Sequence, residues 1–185
     1  MKKVLAVAFA IAILSIGFSA NAQVPYVQAF FDIGASQDQI DCPGMMMDDL
    51  YIFAVNYNAY IAAMKYWVSL PGAITLVGVT LPTGGLSIGN VTDPLNGLSI
   101  SYPVPGDGYH PFVTATLTIW WNCADCSGWA DSPIVVHGLG PGGYIETIRW
   151  PDLTTMWGIG MTSMVCPVIV PTQETTWGSV KSLYQ

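Results

Sequence analysis

From Val113 to Trp121 the chain alternates without a break, with Val113, Ala115, Leu117, Ile119 and Trp121 on one side and Thr114, Thr116, Thr118 and Trp120 on the other. A period of two belongs to a β-strand, whose successive side chains point to opposite faces, so this segment has one dry face and one wetter face. The same alternation places Leu98, Ile100 and Tyr102 against Ser99 and Ser101, directly after the turn-forming pair Asn96-Gly97. Residues 50–57 are apolar on both faces and read as a central strand covered on both sides. Further strands are expected at 24–33, 60–69, 74–81, 86–91, 133–137, 144–150 and 155–165, most of them bounded by Gly, Pro, Asn or Asp. Residues 60–69 contain the helix formers Ala62, Ala63, Met64 and Lys65, but their aromatics and the following Pro71-Gly72 favour a strand. With 19 glycines and 13 prolines recurring between strands at short intervals, the expected fold is an all-β antiparallel sandwich.

The chain opens with Met1-Lys2-Lys3 and an apolar run over 4–18, and Ala20-Asn21-Ala22 then sets small residues where a signal peptidase reads them. The expected organisation is a signal peptide at 1–22, one sandwich domain at 23–170, and a spacer with a short amphipathic tail at 171–185. The expected location is secreted, periplasmic or cell-surface, reached by bacterial-type export. In the tail, Trp177, Val180 and Tyr184 fall at helical spacing beside Leu183, although Gly178 weakens a helix; these groups are expected to dock on a partner. Losing Lys2 and Lys3 moves the formal charge from −7 to −9, a sign that repels phosphate backbones and makes nucleic acid and anionic membrane poor partners; no nucleic-acid partner and no membrane span after processing are expected. Only 9% of residues are charged and 52% are hydrophobic, so the chain is ordered and some apolar surface should face a partner.

All four cysteines lie in the exported part, and an even count delivered to an oxidising compartment fits two disulfides. Of the three connectivities, Cys123–Cys126 with Cys42–Cys166 is favoured, because a Cys-Ala-Asp-Cys tip can close on itself. The same pair has the spacing of a redox dithiol, but such dithiols open a helix, whereas this one follows a strand and runs into Ser127-Gly128. A zinc site drawing on the cysteines and His137 would show two paired knuckles, and Cys42 and Cys166 are singletons. Neither His110 nor His137 accompanies a nucleophile-elbow sequence, and the only glutamates are Glu146 and Glu174. Asp38, Asp41, Asp48 and Asp49 form a weak calcium alternative without EF-hand spacing, and Met45-Met46-Met47 beside them reads as packing of an irregular loop. No cofactor is expected.

Seven tryptophans suggest another role. Trp120, Trp129, Trp150 and Trp157 are candidates to stack on sugar rings or anchor a protein partner, with core filling as the competing use. The expected function is therefore a secreted, non-catalytic binding or surface-assembly module; the competing reading is a secreted enzyme or thiol-redox protein using Cys123 and Cys126.

The succession of residues 59–68, Ile74-Thr75-Leu76-Val77-Gly78-Val79, Gly97-Leu98-Ser99-Ile100 and residues 113–120 resembles that of cohesin-like and carbohydrate-binding-module-like secreted sandwiches. The resemblance implies an immunoglobulin-like or cohesin-like β-sandwich that binds a protein or glycan partner. Where that family commonly has an Asp-Pro-type turn this chain has Leu70-Pro71-Gly72, so no binding residues carry over.

Overall fold

The structure is a computed structural model and describes residues 23–167; the expected signal peptide and C-terminal tail lie outside the described residues. Twelve strands follow in order: β1 (Tyr26–Phe30), β2 (Gln39–Ile40), β3 (Met47–Val55), β4 (Tyr60–Ser69), β5 (Ile74–Thr80), β6 (Leu86–Gly89), β7 (Leu98–Asp107), β8 (Phe112–Trp121), β9 (Ser132–Gly138), β10 (Ile145–Trp150), β11 (Thr155–Gly160) and β12 (Thr162–Val165). One layer is antiparallel in the order β1-β3-β8-β5. The other runs β6-β7-β4, and along the far edge of β4 strands β9 and β10 lie end to end, interrupted by residues 139–144. Strand β11 extends that layer beside β10 and then pairs in parallel with β1 through Tyr26–Ile159 and Val27–Gly160, so the two layers join along one edge.

Between the layers, Leu50, Ile52, Leu117, Ile119 and Trp121 meet Ile61, Tyr66, Val68, Ile100, Ile134 and Val136, all at most 1% exposed. Of these, Leu117, Ile119, Trp121 and Ile100 are residues that the alternation assigns to dry faces. Removing such side chains from water is worth roughly 1.5–3 kcal/mol each, which holds the layers face to face. The expected central strand is β3, flanked by β1 and β8, and its outer side is covered by a small cluster of Phe30, Phe53 and Val55.

The alternation fails at one place on β8. Ala115 pairs with Ile52 and Val113 with Phe53, so Thr114 is an extra residue in a bulge. The bulge turns Val113 out to the Phe53 cluster and Thr114 into the core, where it is fully buried. There its hydroxyl donates to the Ile52 carbonyl at 3.0 Å and lies 2.8 Å from the Tyr66 hydroxyl of the opposite layer. A second buried phenol, Tyr57, accepts a bond from Thr147 at 3.4 Å, and burial pushes its ionisation up to about 12.

The cysteines correct the expected pairing. Cys42 bonds Cys123 and Cys126 bonds Cys166, with Cα separations of 6.2 and 5.4 Å. The reason is the ladder: β3 begins opposite the end of β8, with Met47 against Trp120, so the segment before β3 runs beside the one after β8. Likewise β12 lies on β9, with Val165 against Ser132, and delivers Cys166 to the segment before β9. Cys123 and Cys126 therefore belong to different bridges, which removes the dithiol on which the redox reading depended. The expected strand at 155–165 is two strands, because at Met161 the chain passes from β11 to β12, giving its N–H to Val27 and its carbonyl to the Val136 N–H. Strand β2 has no counterpart among the expectations. It is two residues long, paired in parallel with β12, and too short to show a period.

Candidate functional site

Strands β6, β7, β4, β10 and β11 present one outer face to solvent, and cross-strand register sorts its side chains into rows. Directly paired residues share a face, so Ile88, Ser99, Lys65, Glu146 and Trp157 form one row and Leu86, Ser101, Ala63 and Ile148 the next. In the second row the middle is short and both ends are tall; in the first, Ser99 is short and Lys65 and Glu146 stand between it and Trp157. Serines and an alanine make a floor, Leu86 and Ile88 make one rim, and Ile148 makes the other, with Trp157 beyond Glu146. The result is a trough of about 430 Å³, within the range of roughly 300–1,000 Å³ usual for binding clefts. The rim side chains on β6 are 72% exposed at Leu86 and 82% at Ile88. Strand β6 pairs with β7 alone, which leaves it at the margin of its layer.

Charge on this face is sparse. Lys65 and Glu146 stand opposite each other in register, yet neither takes part in an ion pair among the described residues. Arg149 on β10 is held by Asp152 at 2.9 Å. Lys65 and Arg149 are the only lysine or arginine residues in 23–167, so this layer is the least acidic part of an acidic molecule.

Aromatics flank the trough at both ends. Toward one end Trp150 pairs with Tyr60, whose ring meets Tyr109 edge-on at 5.4 Å, and these border a smaller hollow with Val104 and Pro105. Toward the other, Trp67 on β4 stacks on His137 of β9, centroids 4.0 Å apart and rings within 10° of parallel. His137 Nε2 lies 3.0 Å from the Ser69 hydroxyl, and partial burial holds its imidazole below the usual range.

Two of the four candidate tryptophans, Trp150 and Trp157, thus share this face. Trp120 lies on β8 in the other layer, between Met47 and Thr75 and 39% exposed. Trp129 covers Gly72 and packs against the core. The four do not form one platform. Trp67, Leu86 and Ile88 carry no functional signal in the sequence alone; Trp67 is conspicuous only once β4 and β9 are known to be neighbours. The acidic residues do not converge: Asp38 accepts the Gln28 amide, Asp49 accepts the Thr118 hydroxyl, and Asp48 accepts the Asp49 N–H. Among the described residues no three His, Cys, Asp or Glu side chains are arranged to hold a metal.

No protein-family model matches the sequence, and no curated protein matches it either. Solved structures similar to it are cohesin modules, the family whose strand succession the sequence resembles. One is a cohesin module of a family 33 glycoside hydrolase from Clostridium perfringens, with a TM-score of 0.49 and 9% identity over 78% of this chain and 98% of that one. Another is a non-cellulosomal cohesin from Archaeoglobus fulgidus, with a TM-score of 0.46 and 11% identity over 77% and 91%. A third is a type I cohesin–dockerin complex from Clostridium thermocellum, with a TM-score of 0.49 and 10% identity over 78% and 95%. These are likenesses of strand arrangement and supply no binding residues.

Proposed function

We propose that the chain is a non-catalytic binding module, exported by a bacterial-type route, that holds a protein partner on the outer face of β6-β7-β4-β10-β11. The observation that carries this reading is the trough with its exposed aliphatic rims. Two large aliphatic side chains on a short marginal strand, facing a third across a floor of small residues, lose water only when something is seated between them. A glycan would be gripped by polar side chains fanned around an aromatic ring, whereas this lining is mostly aliphatic, with Ser99, Ser101, Lys65 and Glu146 as its polar members. Apolar side chains of a protein match that lining better.

The test begins with the mature chain as bait in the secreted fraction of its source, with the captured protein identified and its affinity measured. Ile88→Asp should weaken binding by roughly tenfold or more, as truncating a central anchor does. Val77→Asp, on β5 of the other layer, should leave affinity unchanged. Equal affinity for the Ile88→Asp variant and the parent would overturn the assignment of this face.

A further inference from the structure

We infer that the trough is covered in the free protein by the chain's own C-terminal segment, residues 168–185, which a partner has to displace; this rests on the reading of the trough as a docking surface. Reach is the first consideration. Val165 at the end of β12 is level with Ser132 of β9, Gly138 at the other end of β9 is level with Tyr66, and the trough begins one residue further at Lys65 and Glu146. That is about seven strand rises from Val165 and, because β12 runs away from the trough, about nine from Pro167, or roughly 30 Å. Ten residue steps lead from Pro167 to Trp177, and extended they span roughly 33 Å. An extended linker is therefore just long enough to bring Trp177 to the near end of the trough and short enough to keep the segment beside it.

Composition is the second. The segment brings Trp177, Val180, Leu183 and Tyr184, four large apolar groups within eight residues, to a trough whose rims are aliphatic and whose floor is low. Charge is the third. Lys181, set among those four, is the segment's only cation, and among the described residues Glu146 is the only carboxylate lining the trough. Glu146 has no ion-pair partner among the described residues. A tether of this length holds the segment at an effective concentration on the order of millimolar, which favours the same chain over a second copy at ordinary protein concentrations.

The experiment uses the full mature chain without any partner. Equal amounts of unlabelled and ¹⁵N-labelled protein are mixed, treated with a zero-length carbodiimide coupler and digested for mass spectrometry. The expected product is an amide between Lys181 and Glu146 with both peptides carrying the same isotope. It should fall several-fold in Ile88→Asp and in Trp177→Ala/Leu183→Ala, and the second variant should bind an apolar fluorescent dye several-fold more strongly than the parent. Absence of the link, a link only between differently labelled copies, or unchanged dye binding would each overturn the inference, the second outcome pointing to another copy as occupant. The partner assay fails separately. Partner binding that still depends on Ile88 without the cross-link rejects only the covering segment, and a cross-link with partner binding indifferent to Ile88 rejects only the partner face.

Discussion

Thr114→Val removes one hydroxyl from the centre of the sandwich and leaves its shape. In the parent, that hydroxyl spends its single proton on the Ile52 carbonyl, so the Tyr66 hydroxyl, 2.8 Å away and fully buried, is the donor between them. The valine variant strands the Tyr66 O–H in the core and takes a donor from Ile52. Stranding a buried polar group costs about 1–3 kcal/mol, and losing an ordinary hydrogen bond about 1 kcal/mol, so the sum is roughly 2–4 kcal/mol. Tyr66→Phe should cost only about 1 kcal/mol, because Thr114 keeps its bond to Ile52. The double variant strands no hydroxyl and should also lose about 1 kcal/mol, making it more stable than Thr114→Val alone. Urea denaturation of the four proteins measures the cycle, and melting should follow at roughly 3–4 °C per kcal/mol for a domain of this size. A double variant that loses the sum of the two singles would refute the donor assignment and the claim that this pair ties the layers together.

The disulfides close loops of 81 and 40 residues, for which chain entropy gives roughly 4.5 and 4 kcal/mol. Cys42→Ser/Cys123→Ser and Cys126→Ser/Cys166→Ser should therefore both melt clearly lower than the parent and close to each other, and peptide mapping that found Cys123 joined to Cys126 would contradict the pairing. Burial lowers the imidazole ionisation of His137 below its unfolded value near 6.5, so the folded state binds fewer protons there. Its contribution is complete above that value and is lost as pH falls toward the folded one; stability should drop on acidification below about pH 6.5, and His137→Gln should flatten that part of the curve. At Gly160 an added Cβ would overlap the Val136 carbonyl, so Gly160→Ala should destabilise by about 1–3 kcal/mol or more by calorimetry.

Strands were legible wherever one face is dry, because a period of two is then written directly in the residue types, as at 113–121 and 98–102. What the residues of one strand could not carry was information held by its neighbour. The bulge at Thr114 exists because β3 sets Ile52 and Phe53 against Ala115 and Val113, so the sequence of β8 alone places Val113 inside. Cysteine pairing failed for the same reason: loop length favours the nearest partner, while the ladders β3–β8 and β12–β9 decide who is adjacent. Ser99 and Ser101 were readable as an outer face, but the trough depends on their lying between Leu86 and Ile88 on one side and Ala63 and Lys65 on the other. Trp150 and Trp157 are visible in the sequence as unusual residues, whereas Trp67 takes its significance from a stacking partner 70 positions away.

The two bridges also form a covalent shortcut through the molecule. Tension applied at Gln23 and Pro167 travels nineteen residues to Cys42, crosses to Cys123, passes three residues to Cys126, crosses to Cys166 and leaves after one more. Strands β3 to β8 lie within the first closed loop and β9 to β12 within the second, so once β1 and β2 have peeled away none of them bears load. While the bridges are intact, a pulled domain peels β1 and β2 and then stops at roughly 80 Å, against about 490 Å for the same chain with its cysteines reduced. The face built from β6, β7, β4, β10 and β11 belongs wholly to the shielded part, and it keeps its rows in register while the ends are under strain.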